Sequence, residues 1–449
     1  MPSPNLTFQV AEYIHKTDYS DLPEDVIEKA KLCLLDWVGV TLAGAREPIS
    51  TITHDLVDSL GGDEQSTIIG KGLKTNLLFA SLVNGTNAHV LEFDDGLLDG
   101  PGHPSAPIIP PILSLAEWKG LPGSDFINAY TIGVQIFFSI NAANSPHHSN
   151  EGWHSTGTLG HLAASAASGK LLNLNIPQIV NALGISATQA AGIKSAFGTM
   201  CKPLNAGKAS MDGLLAALLA ERNFSSSDDP MGGTDGFLEV FSSGSNPEAL
   251  KKALTGGYFL NDIRFKLYPS CFNTHAAIDC ILSLRNQYEI KPEEISEIAC
   301  IVYPRCLEVS ANPRPKTGLE AKFSVQYCLA LALDEGKVAL DSFDDSKVRT
   351  SSLDDTMKKI RLLSENAFSK TRTSEVVIKF KNGKSIREKV SLSDMHRDRK
   401  KEEADVTQKF RNIAYSLLPA ERVDEIIESI NSLEKVADMS SITRLCRIE

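Results

Sequence analysis

The chain contains 449 residues, of which 42% are hydrophobic and 22% charged, and its formal net charge is −11. Single hydrophobic cores stop growing at roughly 250–300 residues, so this length predicts two or three domains, and the composition excludes a wholly disordered chain. The negative charge repels phosphate backbones and excludes a general nucleic-acid binder.

The eight cysteines form no CxxC pair, which is typical of reduced thiols in a cytoplasmic protein. The first residues show no basic segment followed by an apolar run, and no continuous apolar stretch approaches the roughly 18 residues that cross a bilayer. We therefore expect a cytoplasmic protein that has neither a nucleic acid nor a membrane as a partner.

Apolar residues at helical spacing begin after Pro23 and predict a first long helix that ends at Gly44. Similar patterns predict helices near residues 107–120, 125–142, 158–172, 177–191 and 206–223. The last three are rich in Ala, Gly and Ser, whose small side chains allow helices to pack closely. The first half is therefore predicted to be a tightly packed helical bundle.

The pattern changes after a turn-rich segment at residues 225–236. β-Branched residues predict a strand at residues 295–303, and alternation around Asn382-Gly383 predicts a hairpin within residues 375–390, because both turn positions need positive φ. Further helices are predicted near residues 273–287, 320–334 and 405–432.

The return to helix at the end of the chain indicates a discontinuous helical domain with a smaller domain inserted before its last helices. The predicted fold class is therefore α with an α+β lid, that is, a large all-α helical domain and a smaller α/β lid domain. The expected boundaries are residues 1–262 for the first part of the helical domain, 263–398 for the lid and 399–449 for the returning helices.

Polar residues concentrate in a short segment that begins at Glu92, continues through Asp94, Asp95 and Asp99, and ends at His103. Acids and a histidine flanked by glycines and prolines form a loop more readily than a helix interior, and function concentrates on such loops. The alternative is a helix end whose acids cap backbone N–H groups. The chain has no His-Glu-x-x-His motif, and the acidic spacing is one residue too long for a DDxxD magnesium motif, so no metal is expected.

Further candidates lie near the Ala-rich helices. His154 directly precedes a plausible helix start, and His161 is expected to be a packed core residue. His147 and His148 are expected to be loop residues exposed to solvent. Lys202 stands beside a proline in a Gly-containing loop, where simple helical pairing cannot neutralise it, and it is interpreted either as a pocket residue or as an exposed lysine.

Five segments, taken in order, resemble the MmgE/PrpD family, and they occupy residues 91–117, 152–174, 202–220, 265–279 and 313–333. The resemblance implies a large all-α domain, a smaller α/β lid, a homodimer, and an active site in the cleft between the two domains. It also implies an enzyme that acts on a small polycarboxylate substrate and needs no cofactor.

Mapped residue by residue, the resemblance assigns catalytic positions to His103, His154, Lys202, His275 and Asp94, and substrate-binding positions to Glu92, Asp95, Lys266 and Lys322. The sequence departs from animal cis-aconitate decarboxylases near Val309, where those enzymes have a tyrosine that lines the pocket. The loop before His103 is also one residue longer. Both departures weaken the case for decarboxylation.

The leading hypothesis is a hydro-lyase of propionate metabolism that dehydrates 2-methylcitrate or a close relative through a carbanion-like intermediate. His103 and His275 would exchange protons, while Lys202 and His154 bind carboxylates. Asp94 or Asp95 would orient a histidine or assist departure of the hydroxyl. The alternatives are decarboxylation of cis-aconitate, an iminodisuccinate-type epimerisation, and a non-catalytic dimer that binds carboxylates.

Overall fold

The structure is a computed structural model of the chain, and it describes residues 5–97, 100–349, 353–394 and 398–448. The chain divides into two compact units. Unit 1 contains Met1–Val90, Asp94–Phe265 and Glu403–Glu449, whereas unit 2 contains Leu91–Phe93 and Lys266–Glu402. Three residues of unit 2, Leu91–Phe93, therefore come much earlier in the chain than the rest of that unit.

The helices follow one another along the chain as α1 (Leu6–Lys16), α2 (Glu24–Gly44), α3 (Pro48–Leu60), α4 (Leu77–His89), α5 (Ser105–Lys119), α6 (Gly123–Asn144), α7 (His147–Asn150), α8 (Ser155–Leu171), α9 (Ile176–Gln189), α10 (Cys201–Glu221), α11 (Phe237–Val240), α12 (Pro247–Thr255), α13 (His275–Gln287), α14 (Pro304–Ser310), α15 (Gly318–Ala321), α16 (Val325–Glu335), α17 (Asp345–Arg349), α18 (Asp354–Met357), α19 (Arg399–Ala414), α20 (Ala420–Asn431) and α21 (Ser440–Leu445). The strands are β1 (Ser66–Thr67), β2 (Lys74–Thr75), β3 (Gly96–Leu97), β4 (Ile263–Arg264), β5 (Ile295–Val302), β6 (Ile360–Ser364), β7 (Thr373–Phe380) and β8 (Ser385–Ser391).

The helices predicted from apolar periodicity are present, and the five in the bundle begin before their predicted starts. Helix α10 shows the reason, because its first turn contains Pro203. The first N–H groups of a helix have no acceptor within the helix, so proline is tolerated there. Pro203, which was predicted to lie in a loop, therefore belongs to the first turn of α10.

Small residues bring the helices of unit 1 into close contact. A Cβ atom added at Gly207 in α10 would lie 2.2 Å from the carbonyl oxygen of Leu82 in α4. A Cβ atom at Gly213 would lie 2.9 Å from the carbonyl oxygen of His161 in α8. These distances leave no room for a larger residue, as the prediction of a tightly packed bundle requires.

Helix α6 lies in the core of unit 1. By length and composition it could cross a membrane, but 94% of its most apolar window is buried inside the protein, as expected of a core helix. Continuous apolar runs understate its hydrophobicity, because Gly133, Gln135 and Ser139 interrupt them. The expectation that no apolar stretch is long enough to cross a bilayer was therefore wrong for α6, because it considered only uninterrupted apolar runs.

Unit 2 is built on a four-stranded sheet with the order β6-β5-β7-β8. Strand β5 pairs in parallel with β6 and antiparallel with β7, and β7 pairs antiparallel with β8. The predicted hairpin is confirmed, and Gly383 in its turn has a φ of +86°. Ile298 of β5 and Ile378 of β7 pack with residues of α13 and α16 in a separate apolar core. The predicted fold class, a large helical domain with a smaller α/β domain, is confirmed.

Candidate active site

The acidic segment lies in the connection between α4 and α5, as the loop prediction requires. Strand β3, within this connection, pairs with β4. Asp94, Asp95 and His103 all belong to unit 1. Asp99 lies outside the described residues.

The backbone before His103 depends on a glycine. Gly102 has a φ of +139°, and a Cβ atom there would lie 2.6 Å from the ring of Phe137. A side chain would therefore be both strained and blocked. With glycine in place, the backbone N–H of His103 donates to Thr156 Oγ1 at 3.1 Å, and this bond joins the loop to α8.

The hydrogen placement on His103 follows from its contact with a backbone carbonyl. Its Nδ1 lies 2.6 Å from the carbonyl oxygen of Asp95. A carbonyl oxygen can only accept, so Nδ1 carries the hydrogen, and the lone pair of the neutral ring is on Nε2. The side chain is 19% exposed. His103 therefore has the hydrogen placement of a general base that acts through Nε2.

His154 has the opposite arrangement. It directly precedes α8, as predicted, and its Nδ1 lies 3.1 Å from the amide nitrogen of Asn205. Because Nδ1 accepts this hydrogen bond, the hydrogen of the neutral ring is on Nε2. The edge of the ring meets Phe197 at a centroid distance of 5.0 Å. His154 can thus donate to a carboxylate, while Asn205, which the sequence analysis missed, holds the ring.

A third histidine, His89, completes the group and was not predicted. Its Nδ1 lies 2.7 Å from Asp94 Oδ2, and the same oxygen is 3.4 Å from His103 Nδ1. Its ring centroid is 4.9 Å from that of His103 and 5.7 Å from that of His154. The sequence analysis did not recognise α4, whose last residue is His89. The available signal was a histidine five residues before the acidic pair.

The group formed by His89, Asp94 and His103 has ligand atoms within 4.8 Å of one another, close enough to hold a metal ion. The hydrogen bonds argue for a different use of these atoms. His103 Nδ1 donates to a carbonyl and so offers no lone pair, and His89 Nδ1 is hydrogen-bonded to the carboxylate. The three side chains therefore fit a hydrogen-bonded relay better than a set of metal ligands.

Asp95 is buried among hydroxyl groups. Its carboxylate accepts from the Oγ of Ser105, which also contacts the hydroxyl of Tyr130. The pKa of Asp95 is raised from 3.8 to about 7, chiefly by burial and to a smaller extent by the charges of Asp94 and Asp36, while the Ser105 hydrogen bonds oppose the rise. Asp95 can therefore exchange a proton near neutral pH.

Lys202 lies in the first turn of α10 and is buried, so its interpretation as an exposed lysine was wrong. Its Nζ lies 5.5 Å from the centroid of the Phe197 ring, the same ring that meets His154. The structure therefore brings Lys202 to the edge of the histidine group, in agreement with the pocket interpretation.

Two other histidines are structural. The prediction that His161 is a core residue is confirmed, since it is fully buried and its Nδ1 bonds the Gly157 carbonyl at 2.7 Å. The prediction for His148 was wrong, because this residue lies in the short helix α7 and is buried. Its ring nitrogens contact Phe241 O at 2.7 Å and Thr158 Oγ1 at 2.6 Å, and burial lowers its pKa. His147 is exposed, as expected, but it begins α7 and is not a loop residue.

The remaining predicted residues lie in unit 2. Glu92 and Lys266 form a buried ion pair at 3.4 Å, and Lys322 Nζ donates to Leu91 O at 2.8 Å. Glu92 has a φ of +54°, a conformation that costs a residue other than glycine about 1–3 kcal/mol and clusters at functional sites. His275 begins α13 and is buried against the rings of Tyr268 and Phe272. Val309 lies in α14.

Histidines with complementary hydrogen placement, set around a buried carboxylate in a helical unit, form an arrangement that suits acid–base chemistry. The MmgE/PrpD N-terminal domain matches residues 8–250, and the MmgE/PrpD C-terminal domain matches residues 268–435. The chain therefore belongs to the MmgE/PrpD family.

Curated relatives agree with this assignment. The chain is 26% identical to a cis-aconitate decarboxylase-like protein of Aspergillus oryzae, over 99% of this chain and 98% of the relative. It is 27% identical to a cis-aconitate decarboxylase of Aspergillus terreus, over 98% and 95%. It is also 24% identical to a mitochondrial 2-methylcitrate dehydratase of Yarrowia lipolytica, over 94% and 86%. Decarboxylases and dehydratases are lyases, so family membership supports an enzyme of this class.

Proposed function

We propose that this chain is a lyase that transfers a proton at a carbon next to a carboxylate of a small polycarboxylic acid, without a cofactor. The observation that carries the proposal is the hydrogen placement on two histidines, His103 and His154, whose rings both pack near that of His89. His103 Nε2 can take up a proton, whereas His154 Nε2 can donate a hydrogen bond to a carboxylate. A base and an anion donor whose rings both lie within 6 Å of the His89 ring suit this chemistry.

The surrounding charges fit the same reaction. Proton removal next to a carboxylate develops negative charge, which donors and cations stabilise. Lys202, at the edge of the histidine group, supplies a cation, and Asp94 supplies the counter-charge for a protonated His103. The chain carries a net charge of −11, so a multiply charged anion needs such local cations to bind.

Decarboxylation of cis-aconitate is the first reaction to test, because two relatives with 26% and 27% identity carry this activity in their names. In this reaction the protonated His103 gives its Nε2 proton to the alkene CH carbon. The double bond shifts as the C–C bond to the departing carboxylate breaks. The products are itaconate and carbon dioxide, and water returns the proton to His103.

Dehydration of 2-methylcitrate, the reaction that the sequence analysis favours, is the second candidate. Val309 stands where animal cis-aconitate decarboxylases have a pocket tyrosine, and one relative is named a 2-methylcitrate dehydratase. Here neutral His103 removes the proton from carbon, and an acid such as protonated Asp95 would assist departure of the hydroxyl as water.

The two reactions are separated by incubating the purified protein with each substrate. Itaconate and carbon dioxide report decarboxylation, whereas absorbance of a conjugated product reports dehydration. We expect His103→Gln to lower the rate at least about 100-fold, as removal of a general acid or base does. The exposed histidine offers a matched control, His147→Gln, which should match the wild type. No turnover of either substrate by the wild type would contradict the proposal and favour a non-catalytic carboxylate binder.

A further inference from the structure

His89 is the histidine of the group around Asp94 that the proposed reaction does not yet use. It is the last residue of α4, its side chain is fully buried, and its Nδ1 bonds Asp94 Oδ2 at 2.7 Å. Its Nε2 is also buried, and it makes no hydrogen bond within the part of the chain that the structure describes. A buried ring nitrogen without a partner costs stability, so an apolar residue would pack here at a lower cost.

The His89 ring packs near the rings of both other histidines of the site, His103 and His154. The ring is nearly parallel to that of His154, with an interplanar angle of 17°, and tilted by 56° from that of His103. Its hydrogen-bonding nitrogen, however, faces neither ring but the carboxylate of Asp94. The polar contact that His89 makes in this group is therefore its hydrogen bond to Asp94.

One oxygen of Asp94, Oδ2, lies close to the Nδ1 atoms of both His89 and His103. Oδ2 is 2.7 Å from His89 Nδ1 and 3.4 Å from His103 Nδ1. His103 Nδ1 also donates to the Asp95 carbonyl at 2.6 Å. The N–H of His89 thus holds the carboxylate with Oδ2 turned toward His103. When His103 Nε2 takes up a proton, the ring becomes a cation and this oxygen is its neighbouring negative charge.

We propose that His89 is a positioning residue, which holds the Asp94 carboxylate in the orientation in which it stabilises protonated His103. This inference rests on the proposed function, because it assigns His89 a part in the same proton transfer. It differs from a packing role, in which the His89 ring would only fill space between His103 and His154.

Two substitutions separate these roles. His89→Asn keeps a donor at the place of Nδ1 but loses the ring, whereas His89→Phe keeps the ring and loses the donor. We expect His89→Phe to lower kcat at least about tenfold, as loss of an orienting partner does, with KM changed less than about twofold. His89→Asn should retain kcat within about threefold of the wild type. The reverse order of the two variants, or full activity in both, would overturn the proposal.

A measurement independent of turnover keeps this test distinct from that of the proposed function. The buried N–H between His89 and Asp94 should give a strongly downfield proton resonance in the wild type that is absent from both variants. Such a resonance without turnover of cis-aconitate or 2-methylcitrate would reject the proposed function and leave the His89–Asp94 bond in place. Its absence from the folded wild type, or stoichiometric metal that is lost in both variants, would overturn the proposal for His89.

Discussion

Asp94 and Asp95 are neighbours in the chain but have different surroundings. Asp94 faces the imidazoles of His89 and His103, whereas the carboxylate of Asp95 contacts Ser105. Burial is the main cause that raises the pKa of Asp95, and the Ser105 hydrogen bonds offset it only in part, so Asp95 can hold a proton near neutral pH.

The raised pKa of Asp95 predicts a pH-dependent stability. Between its ordinary value of 3.8 and about 7, the folded chain keeps a proton that the unfolded chain has released. The wild type should therefore lose stability as the pH rises through this window, by up to about 1.4 kcal/mol per pH unit. Asparagine does not ionise, so Asp95→Asn should gain stability relative to the wild type over the window and gain no more above it. Urea unfolding from about pH 4 to pH 8 measures this difference.

Asp212 provides a control of opposite sign. Burial raises its pKa, but hydrogen bonds from His161 and Lys208 outweigh burial and leave the pKa lowered. Its stabilisation is present above the unfolded pKa and is lost as the pH falls, so Asp212→Asn should be most harmful at neutral pH. A pH-independent difference between Asp95→Asn and the wild type would contradict the pKa argument.

At the scale of elements, the site depends on the contact between α4 and α10. Helix α4 ends at His89, and α10 carries Lys202 and Asn205. Gly207 lies where the two helices meet, and a Cβ atom there would lie 2.2 Å from both the Leu82 carbonyl oxygen and Thr86 Oγ1. Backbone on the opposite side cannot yield as a flexible side chain would, so the spacing of the helices depends on this glycine.

Substitution of Gly207 should therefore affect both stability and activity. We expect Gly207→Ala to lower the free energy of unfolding by about 1–3 kcal/mol or more and to lower kcat, because α10 must move away from α4. Gly169→Ala in α8 is the matched control, since its Cβ would meet Leu174 Cδ1 at an ordinary 3.4 Å. That variant should be neutral or gain up to about 1 kcal/mol from helix propensity. Equal effects in the two variants, measured by denaturation and kinetics, would contradict the packing argument.

At the scale of the whole molecule, each of the two units has a large apolar core of its own. Residues such as Phe137 and Ile140 belong to the core of unit 1, whereas Ile298 and Ile378 belong to that of unit 2. A loss of packing in one core therefore removes contacts first within the unit that contains it.

The separate cores predict local rather than uniform destabilisation. We expect Ile298→Ala, which removes about 2–5 kcal/mol of packing, to increase amide exchange in Lys266–Glu402 while protection in α10 is retained. Ile140→Ala should produce the opposite pattern. Hydrogen–deuterium exchange with peptide resolution distinguishes the two outcomes. Equal loss of protection in both units for both variants would show a single cooperative unit instead.

Local patterns in the sequence predicted the elements that depend on residues close together in the chain. The 3.6-residue period predicted α5, α6 and α8, and the Asn382-Gly383 turn predicted the β7–β8 hairpin. Helix α4 was missed because its sequence, LLFASLVNGTNAH, is buried nearly all round and mixes polar with apolar residues. Without the helix, the sequence signal for His89 was limited to its position five residues before Asp94.

The sequence by itself determined the fold class and, through the family motifs, a list of candidate residues. Only the tertiary structure decided which of them meet and with what hydrogen placement. His154 and Asn205 are 51 residues apart in the chain, and the ring of His148 contacts the carbonyl oxygen of Phe241, 93 residues away. Periodicity records which face of an element is apolar, whereas pKa and tautomer depend on groups that other elements bring to that face.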